Sequence, residues 1–304
     1  MKPVDRPFRI ACVGEVMIEL VAGDGNAAEL SVAGDTYNTA AYLKRVAPVL
    51  DVEYVTVLGR DRFSDRIVRD MEARGIGATA VTRHPNRMPG LYAIETDAAG
   101  ERSFAYWRSS SAARTLFDAD GRDPADVLAG HDLVLLSGIS LAILSRAARD
   151  RLRNALEGFR ASGGLLAFDS NFRPHLWNDL ELARAETKRF WRCTDIALPS
   201  VDDEMALFGD ADGAEVMARL RSWGVSRGAI KRGDAGPVDL GPGGHALSVP
   251  VAENVVDTTA AGDSFNAGYL AATSTGRSSI KAMEAGHALA LKVIGKRGAI
   301  VDID

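Results

Sequence analysis

Between residues 257 and 265 the chain reads Asp257-Thr258-Thr259-Ala260-Ala261-Gly262-Asp263-Ser264-Phe265, and the residues that follow (Phe265, Gly268, Tyr269, Ala272) have helical spacing. Small residues at such a junction let Ala260, Ala261 and Gly262 turn backbone amides toward an anion, and the helix N-terminus adds partial positive charge. A carboxylate here, Asp263, would repel an anion that was merely bound. It has a use if it takes a proton from a hydroxyl while the amides hold the phosphoryl group under attack. A plain helix cap by Asp263 is the other reading of the string.

Alternating elements must position this loop. Apolar, β-rich runs at Phe8–Val13, Val52–Leu58, Asp132–Ser137, Leu165–Asp169, Ile196–Pro199 and Arg227–Lys231 suit strands buried on both faces. Helical patterns at Thr36–Ala47, Phe63–Arg74, Leu141–Ser162, Leu180–Arg192, Asp203–Phe208 and Ala214–Trp223 fall between them. The alternation predicts an α/β fold: a doubly wound, mostly parallel sheet flanked by helices, with residues 1–304 as one domain. Two stretches, about 16–33 and 90–108, alternate like exposed strands, with turns expected at Asp24-Gly25-Asn26 and Asp97-Ala98-Ala99-Gly100. Strands inserted at these points would pair outside the main sheet.

Composition narrows the class. A chain of 304 residues can bury a large core, and a net charge of −5 argues against nucleic acid or an anionic membrane as partner. Cys12 and Cys193 lie far apart in apolar surroundings, which suits reduced cytosolic thiols, and no Cys/His metal spacing is present. The first residues lack a signal-peptide h-region and no run approaches eighteen apolar residues, so a cytoplasmic protein is expected. There is no Gly-x4-Gly-Lys-Ser/Thr loop, no protein-kinase motif set and no Gly-x-Gly-x-x-Gly after the first strand.

The 257–265 string resembles the C-terminal signature of ribokinase-like (phosphofructokinase-B family) carbohydrate kinases, Asp-Thr-x-Gly-Ala-Gly-Asp, with Ala260 in place of a glycine. The family's N-terminal signature is matched by Ala33-Gly34-Asp35-Thr36-Tyr37-Asn38-Thr39-Ala40, and the similarity runs from about Arg9 to Ile300. The methyl of Ala260 is tolerable if its φ is negative. The resemblance implies that Asp263 is the base, that Ala260, Ala261 and Gly262 with it form the anion hole, and that the two inserted stretches make a small β lid over the sugar site. Such lids are often shared across a dimer, so a homo-oligomer is expected. Gly34, Asp35 and Asn38 match positions that contact sugar hydroxyls, and Tyr92, Tyr106 and Arg108 cluster in the lid.

ATP and Mg²⁺ are the implied cofactors. Lys231-Arg232-Gly233-Asp234-Ala235-Gly236 resembles the family's nucleotide loop, so Lys231, Gly233 and Gly236 are expected to meet ATP, together with Asn171, Arg173, Ser200, Ala260, Gly262 and His287. Ser200-Val201-Asp202-Asp203-Glu204 stands where many relatives have Asn-x-x-Glu, and Asp203 or Glu204 would act on Mg²⁺ through water.

Two further strings, Tyr106-Trp107-Arg108-Ser109 and Asp169-Ser170-Asn171-Phe172-Arg173-Pro174, resemble the versions found in 2-keto-3-deoxygluconate kinases. Two guanidinium groups, Arg108 and Arg173, favour an acceptor with a carboxylate, since arginine binds planar carboxylates bidentately. Glu19 replaces an aspartate that contacts the sugar in ribokinase. The expectation is thus a sugar-acid kinase that phosphorylates a terminal hydroxyl. The alternatives are a neutral-sugar (fructose or ribose) or nucleoside kinase on the same fold and a non-catalytic ATP- or sugar-binding regulator.

Overall fold

A computed structural model describes residues 6–23, 27–96 and 102–303; the turns expected at 24–26 and 97–100 lie outside them. The chain begins with β1 (Arg9–Val13), β2 (Met17–Ala22), β3 (Ala28–Ala33), α1 (Asp35–Val46), β4 (Asp51–Leu58) and α2 (Arg62–Ala73). Then come β5 (Val81–Arg83), β6 (Leu91–Thr96), β7 (Arg102–Trp107), α3 (Pro124–Leu128), β8 (Leu133–Ser137), α4 (Gly138–Ile143), α5 (Arg146–Ala161) and β9 (Leu165–Asp169). The last part holds α6 (Leu180–Trp191), β10 (Ile196–Ala197), α7 (Val201–Phe208), α8 (Gly213–Ser222), β11 (Ala229–Ile230), β12 (Val238–Asp239), α9 (Ala261–Ser274) and α10 (Ser279–Ile294).

Six strands form the central sheet in the order β10-β9-β8-β1-β4-β5, with every pair parallel. Both faces are covered, which explains the continuous apolar runs. Along β1, Ile10 and Cys12 pack with Tyr37, Phe265 and Met283 on one side, while Ala11 and Val13 pack with Leu152 and Trp191 on the other. The chain leaves β1 for β4 on one side and later adds β8 on the other. Strand order therefore reverses at β1, and a crevice opens at the carboxyl ends of the strands. Parallel bridges Ala197↔Gly228 and Ser200↔Lys231 seat β11 beside β10. Both cysteines are free and buried, and among the described residues no helix is long and apolar enough to cross a membrane.

The two inserted stretches do pair with each other. They form a second sheet ordered β3-β2-β6-β7, in which β2 and β6 run parallel and the outer pairs antiparallel. Two local expectations fail. The helix expected over 141–162 is broken at Leu144, which is extended, and the Ser145 hydroxyl accepts from the Ala148 amide to start α5 afresh. The apolar periodicity ran through the break because both pieces bury the same face. Ala260 has φ 60° and ψ 15° at the N-cap of α9, so the negative φ that would make its methyl tolerable is not met. The turn needs a left-handed residue there, and an alanine in that conformation costs about 1–2 kcal/mol.

Ala260→Gly should therefore raise stability by up to about 1 kcal/mol, the relief of the left-handed strain being partly offset by the freer unfolded chain. A denaturant midpoint equal to or below that of the native chain would count against the strained turn.

Candidate active site

The loops at the carboxyl ends of β1, β8, β9, β10 and β11 meet the N-termini of α1 and α9. A narrow cleft lies between Asp35, Ser137, Asp169, Asn171, Asp263 and Asn266. Three carboxylates thus share one small space, and each is held by an amide or ammonium donor.

Asp263 sits in the first turn of α9, and its Oδ2 accepts from Asn38 Nδ2 at 2.8 Å. Burial, then the charges of Asp35 and Asp169, push its carboxyl up to about 8, against the opposing pull of Asn38 and Lys231. A carboxylate so poised can accept a proton near neutral pH. Asp35, in the first turn of α1, accepts from Asn171 Nδ2 at 2.9 Å. Gly34 is required sterically, because a Cβ there would stand 2.3 Å from the Glu15 carbonyl oxygen. The amide of Gly34 also donates to Asn38 Oδ1 at 3.3 Å, so the N-terminal signature orients the residue that holds Asp263.

Lys231 lies over Gly262 at the start of α9. A Cβ on Gly262 would be 3.4 Å from its Nζ, which donates to Asp169 Oδ2 at 2.5 Å and to Asn266 Oδ1 at 3.1 Å. Asn266 Nδ2 closes the triangle with Asp169 at 2.7 Å. The Ala261 amide is engaged by the Thr258 carbonyl at 3.2 Å, so the hole is narrower than the four-residue run expected from sequence. The amides of Gly262 and Asp263 occupy the first helical turn, where helix geometry supplies no partner within the helix.

The acidic pair after β10 divides. Asp203 accepts from Arg173 Nη1 at 3.4 Å and faces the Asp169 and Lys231 charges, while burial raises its carboxyl. Glu204 points into the core, fully buried, where it accepts from Trp191 Nε1 at 3.2 Å and Arg219 Nη2 at 2.8 Å. The structure does not bring Glu204 to the site. Ser200 stands at the N-cap position of α7, without a capping hydrogen bond, beside Lys231, and Gly233 and Gly236 both take positive φ in the following turn. His287, on α10, hydrogen-bonds the Pro250 carbonyl at 2.8 Å, away from the carboxylate cluster.

At the other end, Tyr92 is buried and donates to Glu19, which also accepts from Ser31 Oγ at 2.7 Å. Tyr106 stacks on Tyr92 at 5.7 Å. Arg108 is not free. It is buried, and both its Nε and Nη2 donate to Glu15 Oε2, the former at 2.8 Å. Glu15 Oε1, also buried, has no hydrogen-bond partner. Arg173 is open to solvent on the opposite wall, with its side chain 43% exposed.

Sequence reasoning passed over Glu15, the role of Asp169, and Asn266. Glu15 follows β1 at its carboxyl end, and Asn266 lies three residues after Asp263 on the same helical face, so both carried a positional signal.

Comparison with known proteins gives the family. The model of the pfkB family carbohydrate kinases matches residues 8–304. A relative from Dickeya dadantii named 2-dehydro-3-deoxygluconokinase is 45% identical over 303 residues, spanning 97% of either chain. One of the same name from Escherichia coli K12 is 42% identical over 300 residues, covering 96% of this chain and 97% of its own. Among solved structures, a PfkB protein from Polaromonas superposes with a TM-score of 0.83 at 25% identity, covering 95% of this chain and 96% of its own. The 2-dehydro-3-deoxygluconokinase of Thermotoga maritima also superposes at 0.83, with 20% identity over 97% of this chain and 95% of its own, and speaks for the fold. With its family match spanning nearly the whole chain and both signatures converging on one cleft, the chain belongs to the pfkB family of carbohydrate kinases.

Proposed function

We propose that this chain is an ATP-dependent 2-dehydro-3-deoxygluconokinase, which moves the γ-phosphoryl group of ATP to the terminal hydroxyl of the sugar acid to give the 6-phosphate. The full-length likeness to relatives of that name supports the substrate. The observation that carries the chemistry is Asp263, a raised carboxyl at a helix N-terminus with an ammonium group over the adjacent glycine.

Asp263 accepts the proton of the terminal hydroxyl, and Asn38 fixes the carboxylate so that one oxygen faces the acceptor. The first-turn amides of α9 and Lys231 draw charge from the phosphoryl oxygens as it spreads during transfer. Lys231 turns from Asp169 and Asn266 toward that anion without leaving the cleft. Among the described residues no group of three or more His, Cys, Asp or Glu side chains converges on a metal. Mg²⁺ would arrive on the nucleotide phosphates, keeping most of its waters, and would offset their charge there. Asp203, facing Asp169 and Arg173, is the carboxylate suited to orient those waters; Ser200, Gly233, Gly236 and His287 border the nucleotide side.

The acid end of the acceptor is read by Arg173 and by the guanidinium edge of Arg108 that Glu15 leaves open. Gly34 and Asp35 meet the hydroxyls in between, while Tyr92 and Tyr106 wall the pocket. The small sheet acts as a lid that keeps water from the phosphoryl group. Its exposed Phe104, Tyr106 and Trp107 suit a homo-oligomer, and the protein is read as cytoplasmic, where ATP is supplied.

Steady-state assays with 2-dehydro-3-deoxygluconate, fructose and ribose as acceptors test the reading. The sugar acid should be strongly preferred, and equal turnover of fructose would replace this reading by a neutral-sugar kinase. Asp263→Asn should lower kcat about 10²–10⁴-fold with the acceptor KM little changed; near-native turnover would return Asp263 to the role of a helix cap. Asp203→Ala should raise the Mg²⁺ concentration for half activity, an effect that fades at saturating metal, whereas Glu204→Gln should instead lower the melting temperature.

A further inference from the structure

Two segments face each other across the acceptor end, and each carries an arginine two positions from a ring. Tyr106 and Arg108 lie at and just after the end of β7; Arg173 and His175 follow β9. The rings meet: Tyr106 and His175 stack with centroids 5.6 Å apart and planes 29° apart. Tyr106 rests in turn on Tyr92, so an aromatic ladder runs from the small sheet onto the body of the protein. Arg108 and Arg173, each two residues from a ring of this stack, lie within electrostatic reach of the imidazole. Burial, then the Arg108 and Arg173 charges, hold the His175 pKa below its ordinary value. Arg108 is itself paired with Glu15 and Arg173 with Asp203; α4, which packs on the same turn, carries no charged residue. His175 is exposed at this end of the site, and among the described residues neither ring nitrogen has a protein hydrogen-bond partner.

We propose that His175 is a third acceptor-binding residue, its imidazole held by Tyr106 near the two arginines so as to hydrogen-bond the acid end of the substrate. This rests on the sugar-acid reading. An incoming carboxylate offsets the two charges that disfavour the imidazolium, so the His175 pKa is higher with acceptor bound than without it. By linkage, the acceptor then binds more tightly as pH falls from above the bound pKa to below the free one. A neutral sugar would bring no such dependence.

The test compares the native enzyme with His175→Phe and His175→Ala, using 2-dehydro-3-deoxygluconate and ATP from about pH 8 to about pH 5.5. Phenylalanine keeps a ring for Tyr106 and removes both nitrogens. The expected result in either variant is an acceptor KM raised about 10-fold at the acid end, an unchanged ATP KM, and loss of the native fall in acceptor KM with falling pH. A Phe variant that matches the native enzyme in acceptor KM and pH slope overturns the proposal and leaves His175 a stacking residue. A native enzyme that binds the sugar acid with no pH slope in this window also overturns it. A native enzyme that does not phosphorylate the sugar acid at all removes the sugar-acid reading, and the inference with it.

Discussion

Three carboxylates, Asp35, Asp169 and Asp263, converge on a cleft with one ammonium group among them, and the rest of the site follows from that excess of negative charge. Each carboxylate needs donors to stay in place: Asn171 for Asp35, Asn38 for Asp263, Lys231 and Asn266 for Asp169. The donors come from four different elements, so the charge cluster ties α1, α9 and the loops after β9 and β11 together. Burial first, and repulsion from Asp35 and Asp169 after it, lift Asp263 toward a useful basicity. Lys231 can serve a phosphoryl group because its resting partners lie in the same cleft.

The acceptor end uses the opposite sign with similar economy. A lone buried guanidinium would be costly, and Glu15 answers Arg108 at that point. The pairing holds the arginine fork by its Nε and Nη2 edge, while the unpartnered Glu15 oxygen remains in the same region. Arg173, by contrast, stays open to solvent and joins the acceptor side to Asp203 on the nucleotide side.

Strand order explains why these groups can meet. Because β1 is flanked by β4 and β8, the carboxyl ends of the central strands open onto one crevice. The second sheet is built from chain inserted immediately after β1 and just before β8's helical lead-in, so it must lie over that crevice. Its β2–β6 pairing is the single parallel link between the two insertions.

Much of this was legible in the sequence. The continuous apolar runs announced β1, β4, β8 and β9, since strands buried on both faces have no polar face to show, and the two signature strings announced the small-residue turn that opens α9 and the first turn of α1 with Asp35 and Asn38. Local pattern could not decide what depends on direction and partners. Asp203 and Glu204 are neighbours of the same chemistry, yet a helix turns adjacent side chains about 100° apart, and only packing against Trp191 and Arg219 sends Glu204 inward. The positive φ of Ala260 came from the turn it closes and not from its own preference, and the break at Leu144 was hidden by a shared apolar face. Arg108 read as a free cation because its partner Glu15 lies 93 residues away. Residue types and their spacing determined the chemistry available to this chain; which of those residues share a cleft, and with what charge around them, was decided by the sheet that brings distant loops to one edge.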